Sequence, residues 1–128
     1  EAAADVARGI ETIVTVMREK APGAVIVLTA IFPRHDNPAV MPTINAINDR
    51  LAQLADGSRV RFVNVNDQLA DANGVLAEGV MNADGLHPAI KGYQIWADAL
   101  KPILTELLGP PATTDLAPPP TGDPSASR

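Results

Sequence analysis

The chain has 128 residues, 46% of them hydrophobic, with 10 Lys and Arg against 15 Asp and Glu, giving a formal net charge of -5. Its scattered positive residues argue against a nucleic-acid surface, and no run of residues is apolar enough to span a membrane. With no cysteine, disulfides and thiolate metal sites are excluded.

In chain order, Val6, Ile10, Ile13, Val14 and Met17 recur at three and four, which predicts a helix over residues 5–20, capped by Asp5 and ended by Pro22-Gly23. AVIVLTAIF, residues 24–32, is unbroken apolar and rich in β-branched side chains, as expected of a strand covered on both faces in a parallel sheet. A loop, PRHDNPAVMP, carries three prolines. Residues 43–56 predict a second helix with Ile44, Ile47, Leu51 and Leu54 inside, and Gly57-Ser58 turns the chain into a second strand, VRFVNV, residues 60–65. Residues 66–86 are mixed, with a short helix expected around Gln68–Ala72. A final helix is expected after His87, with Pro88 at its first position. It runs to Leu108, burying Ile90 or Tyr93, then Ala97, Leu100, Leu104 and Leu107, with a kink at Pro102.

From Gly109 the composition changes. Six of the 12 prolines fall in residues 109–128, with one Leu and no aromatic residue, so that stretch is expected to be a flexible tail or linker. The expected division is therefore a domain part over 1–108 and a tail over 109–128. Tails rich in Pro, Thr and Ser commonly join modules of exported proteins, which favours a secreted setting. The first residue is Glu1 and not Met, so the lack of a leader carries no information on export.

The order helix, strand, helix, strand, loop, helix is a doubly wound α/β pattern, and an incomplete one. Two strands of central character expect neighbours that this chain does not hold. A complementary N-terminal fragment or a second copy is the expected macromolecular partner.

In open α/β folds, sites lie past the carboxyl ends of the strands. Two loops end there. One holds Pro33, Arg34, His35, Asp36 and Asn37; the other reaches Asp84 and His87 in NADGLHP. A carboxylate three residues before a histidine can accept the Nδ1 proton, fix the tautomer and leave Nε2 as a general base. Gly85 permits the bend that this contact needs. The plainer reading has Asp84 capping a turn and His87 capping the helix. His35 reads as an exposed loop residue or a substrate contact. A zinc site from His35, His87 and Asp84 lacks supporting ligand spacing, so no metal or other cofactor is expected. Glu78 with Asp84 would suit a glycosidase pair, though acidic loop residues need no such role. Asn64 and Asn66 are expected to satisfy backbone groups of the next loop. Tyr93 and Trp96 read as core packing with an amphipathic rim.

Three segments add a resemblance: VIVLTAIFPR followed by NPAV, then INAINDRLAQLADGSRVRFVNV, and above all DGLHPAIKGYQIWADAL. Together they resemble the C-terminal half of an SGNH (GDSL-type) hydrolase, nearest the platelet-activating-factor acetylhydrolase-like and bacterial carbohydrate-esterase branches. The resemblance implies a flavodoxin-like three-layer sandwich with a parallel sheet, Asp84 as triad acid and His87 as triad base. It places Pro33, Arg34, His35 and Asn37 at the mouth of a substrate site. It also implies serine-type hydrolysis of small acyl esters, acetylated carbohydrates among them. The family's Gly-Asp-Ser nucleophile block and its oxyanion Gly and Asn blocks are not present in this sequence. Ser58 lies at the amino edge of the second strand, and Ser125 and Ser127 lie in the tail. The nucleophile is therefore expected from an N-terminal segment or another chain. The readings of another class are a non-catalytic interaction module and a small glycoside hydrolase that works without Ser.

Overall fold

A computed structural model describes residues 2–114. The elements are α1 (Ala2–Lys20), β1 (Ile26–Thr29), a 3-10 turn (Pro38–Val40), α2 (Met41–Ala52), β2 (Val60–Val63), α3 (Asn66–Leu69) and α4 (Ile90–Leu108). β1 and β2 pair in parallel, with Ile26 opposite Val60 and Thr29 opposite Val63. The chain crosses between them through α2, as parallel neighbours require.

Three layers follow from the alternation of side chains along the strands. On one face Val14 of α1 packs with Ile26 and Val60, flanked by Ile10, Leu28 and Leu54. On the other, Val63, Val65, Leu69 and Val80 form a cluster against Val27 and Phe32 and against Ile95, Ala99 and Ile103 of α4. The α/β class is as expected, and so is the incompleteness: the sheet has two strands among the described residues.

Several boundaries differ. β1 is four residues long rather than nine, because Ile31 gives its backbone groups to Asn48 instead of to a neighbouring strand. β2 stops at Val63, α2 is shifted toward Met41, and α3 begins at Asn66. α1 starts before Asp5, which lies in its first turn and pairs with Arg8 rather than capping the helix. Pro88 is not the first residue of α4. It bridges to Met81, and His87 O accepts the Asn82 N–H at 2.8 Å, which holds residues 87–88 extended until Ala89 caps the helix.

The inward face of α4 is also different. Ile95, Ala99 and Ile103 point at the sheet with Leu100 beside them, whereas Ile90, Tyr93, Leu104 and Leu107 are exposed. Apolar residues cover more than half of this helix, so period alone could not select the face. Pro102 lies inside α4 on an exposed position, where the carbonyl it displaces can turn to water. Gly109, at φ 86, follows the helix. Of the tail expected over 109–128, residues 115–128 lie outside the described residues, and Ser125 and Ser127 with them.

Candidate active site

The sequence Asn82–Ala89 folds into a closed turn that carries the candidate pair. Gly85 adopts φ 66, a left-handed conformation that L side chains resist, and its N–H donates to Asn82 O at 2.9 Å. Asp84 then accepts three hydrogen bonds. Its Oδ1 takes the backbone N–H of Leu86 at 2.9 Å and of His87 at 3.0 Å, and its Oδ2 faces His87 Nδ1 at 2.7 Å. The carboxylate thus caps the turn with one oxygen and meets the imidazole with the other, whereas Ala89, not His87, stands at the N-cap of α4. The backbone N–H of His87, then its ring, and the N–H of Leu86 hold the Asp84 carboxyl down at about 2. An acid so lowered stays ionised and orients the ring.

The turn is anchored at both ends. Ala89 N–H donates to Val80 O at 3.0 Å, and Gly92 of α4 approaches so closely that a Cβ there would lie 2.2 Å from the same oxygen. The His87 side chain is 68% exposed, so the ring projects from the carboxyl side of the sheet with its far edge open.

The loop after β1 lies against this turn. His35 N–H donates to Gly85 O at 2.8 Å, while Arg34 grips Asp36 through Nε and Nη2 at 2.9 and 2.5 Å. That pairing raises the Arg34 pKa and lowers that of Asp36. Arg34 is thus engaged within its own loop, and Asn37 is an exposed residue just before the 3-10 turn. Pro33 is buried and lines an open groove of about 530 Å³ with Met41, Pro42, Asn45 and Asn66. Neither Asp84 nor His87 lines that groove. Of the expected contacts, His35 is the one brought against the Asp84–His87 turn, with the Asp36 backbone beside it; Pro33 faces the groove instead.

Two asparagines set the position of that loop. Asn48, 5% exposed, accepts the Ile31 N–H at 2.8 Å and donates to Ile31 O at 2.9 Å, and Asn66 Nδ2 donates to the same carbonyl at 2.9 Å. Asn66 therefore reaches across to β1's extension, while Asn64 Oδ1 accepts the Asn66 N–H as expected of a loop asparagine. Asn48 was not among the residues the sequence singled out. It falls in line with Ile44, Ile47 and Leu51, and a polar residue on the apolar stripe of a helix is a legible signal. Among the described residues, no three of His, Cys, Asp and Glu gather around a point where an ion would sit.

A parallel strand pair between helical layers, with a carboxylate-held imidazole past the strand ends, is part of a doubly wound α/β domain. The GDSL-like lipase/acylhydrolase family matches residues 1–95, and the chain belongs to that family, as the three segments had implied. Among solved structures it is similar to one from Streptococcus pneumonia provisionally described as a platelet activating factor. That likeness has 30% identity, a TM-score of 0.66 and coverage of 80% of this chain. The chain spans 51% of that relative's length, about half of it. No curated protein matches.

Proposed function

We propose that this chain supplies the acid–base half of a serine-type carboxyl-ester hydrolase acting on small acyl esters, with acetylated carbohydrates as a substrate class. The 2.7 Å contact between Asp84 Oδ2 and His87 Nδ1 carries the reading. An ionised Asp84 keeps the proton on Nδ1 and leaves the Nε2 lone pair as the base. The hydroxyl it activates belongs to a segment of the domain outside this sequence, since Ser58 stands before β2, at the opposite edge of the sheet.

In the reaction, the hydroxyl oxygen bonds to the ester carbonyl carbon as its proton passes to Nε2. The tetrahedral intermediate collapses, the C–O bond to the alcohol breaks, and Nε2 returns the proton to the leaving oxygen. Water then repeats the sequence on the acyl-enzyme and releases the acid. We expect His35, held beside the turn by its bond to Gly85, to border the substrate. The family membership supports acyl transfer as the chemistry, and the sugar preference rests on the resemblance alone.

The test is hydrolysis of p-nitrophenyl acetate and of acetylated xylose by the complete protein. His87→Ala is expected to lower kcat by about 10³-fold or more, as removal of a base from such a unit does. Full activity in that variant would remove His87 from the chemistry.

A further inference from the structure

The loop that lies against the Asp84–His87 turn is held from its other side by a sulfur atom. Residues 30–40 join β1 to α2, and within them Arg34 N–H donates to Met41 Sδ at 3.3 Å. One residue further on, His35 N–H donates to Gly85 O at 2.8 Å. Upstream, Ile31 is fixed to Asn48 of α2 through both of its backbone groups. The Arg34 bond therefore ties the first residue of α2 to the part of the loop that meets the turn.

A thioether is a weak acceptor. It can also be changed chemically in place. Its sulfur lone pair attacks one oxygen of hydrogen peroxide, the O–O bond breaks, and the other oxygen leaves as water. The sulfur is oxidised by two electrons to the sulfoxide and the peroxide is reduced by two. Met41 is half-buried and lines the open groove of about 530 Å³ beside Pro33 and Pro42, so a molecule as small as peroxide reaches its side chain. The other two methionines are placed differently. Met17 is 46% exposed on α1, where an added oxygen meets water, and Met81 packs against the cluster of Val63, Val65, Leu69 and Val80.

The new oxygen has to find space. An N–H···O bond needs about 2.9 Å between its heavy atoms. The sulfur already stands 3.3 Å from the Arg34 nitrogen, and an oxygen cannot enter that gap. Either the sulfoxide turns out into the groove and abandons Arg34, or it keeps Arg34 and pushes the loop away from α2. Both shift the residue next to His35. The loop has little slack on its far side, since a Cβ on Gly85 would lie 3.1 Å from Asp36 N and from His35 Cβ.

We propose that Met41 is an oxidation site through which peroxide loosens the Asp84–His87 turn, Met41 being a positioning residue that acts on His87 through Arg34 and His35. Its effect on hydrolysis rests on the proposed function, whereas its effect on the loop does not. The sulfoxide is open to enzymatic reduction, so the change is reversible.

The experiment treats the complete protein with hydrogen peroxide and locates the sulfoxide by peptide mass. Amide exchange by NMR and hydrolysis of p-nitrophenyl acetate are then read before and after methionine sulfoxide reductase. The expected result is a sulfoxide at Met41, exchange at the Arg34 and His35 amides faster by about tenfold or more, and kcat lower by about fivefold or more with KM within about twofold, all reversed by the reductase. Met41→Leu, which fills the place and cannot take the oxygen, keeps its own untreated rate through the same treatment. Met17→Leu responds to peroxide as the unaltered protein does. His87→Ala loses hydrolysis and still shows the faster exchange, so the loop and the chemistry fail separately. An intact Met41 under conditions that oxidise Met17, unchanged His35 exchange once Met41 is oxidised, or the same loss of activity in treated Met41→Leu would overturn the proposal.

Discussion

The backbone N–H of His35 donates to the carbonyl of Gly85 at 2.8 Å, and this bond joins the two loops that leave the carboxyl ends of β1 and β2. Among the described residues no strand pairing links the two loops to each other. The position of His87 therefore depends on local contacts, and each contact can be tested.

Gly85→Ala challenges the joint directly. A Cβ at φ 66 would lie 3.1 Å from the Asp36 nitrogen and from His35 Cβ. The left-handed conformation alone costs a non-glycine residue roughly 1–2 kcal/mol. The variant is expected to melt at lower temperature and to broaden the His87 ring signals in NMR, while Gly74→Ala, also left-handed but in open space, shows only the thermal effect.

The Asp84 carboxyl should titrate near 2, below its ordinary 3.8. Because the folded value is the lower one, the unfolded chain binds the extra proton. The stabilisation of the turn is complete above 3.8 and is lost as pH falls through about 2. A carboxyl carbon titration by NMR checks this, together with the His87 amide shift, which should move with the same midpoint. A midpoint at the ordinary value would mean that the three bonds to Asp84 do not persist in solution.

Asn48→Ala removes both bonds to Ile31 and leaves its half-buried N–H without a partner, at a cost of about 1–3 kcal/mol in urea unfolding. Asn48→Asp should be worse, since it keeps the acceptor for the N–H but sets a buried carboxylate against the Ile31 carbonyl. The reverse order would show that Asn48 acts by filling space.

Gly92→Ala forces a methyl group to within 2.2 Å of Val80 O, so α4 must lift from the strand-like segment that leads into the Asp84 turn. The expected loss is at the upper end of about 1–3 kcal/mol. Hydrogen exchange should quicken at Ala89, whose N–H donates to that same oxygen.

Much of this was legible in the chain. The stripe Ile44, Ile47 and Leu51 named the buried face of α2, because polar residues bound it on both sides. The four residues Asp84 to His87 carried their own geometry: a short carboxylate, a glycine for the bend and a ring three positions on can close on one another without help from elsewhere. Helix α4 was different, since Tyr93, Leu100 and Leu104 are as apolar as Ile95, Ala99 and Ile103, and periodicity could not rank the two lines.

What the sequence determined by itself was local: which segments are helix or strand, and the turn that sets a carboxylate on an imidazole, since both follow from neighbours a few residues apart. What only the tertiary structure decided was which apolar line of each helix meets the sheet, and that Asn48 and Asn66 share the Ile31 carbonyl. Those depend on contacts between residues distant in the chain, where burial competes among several equally apolar faces and the winner is set by the shape of the partner surface.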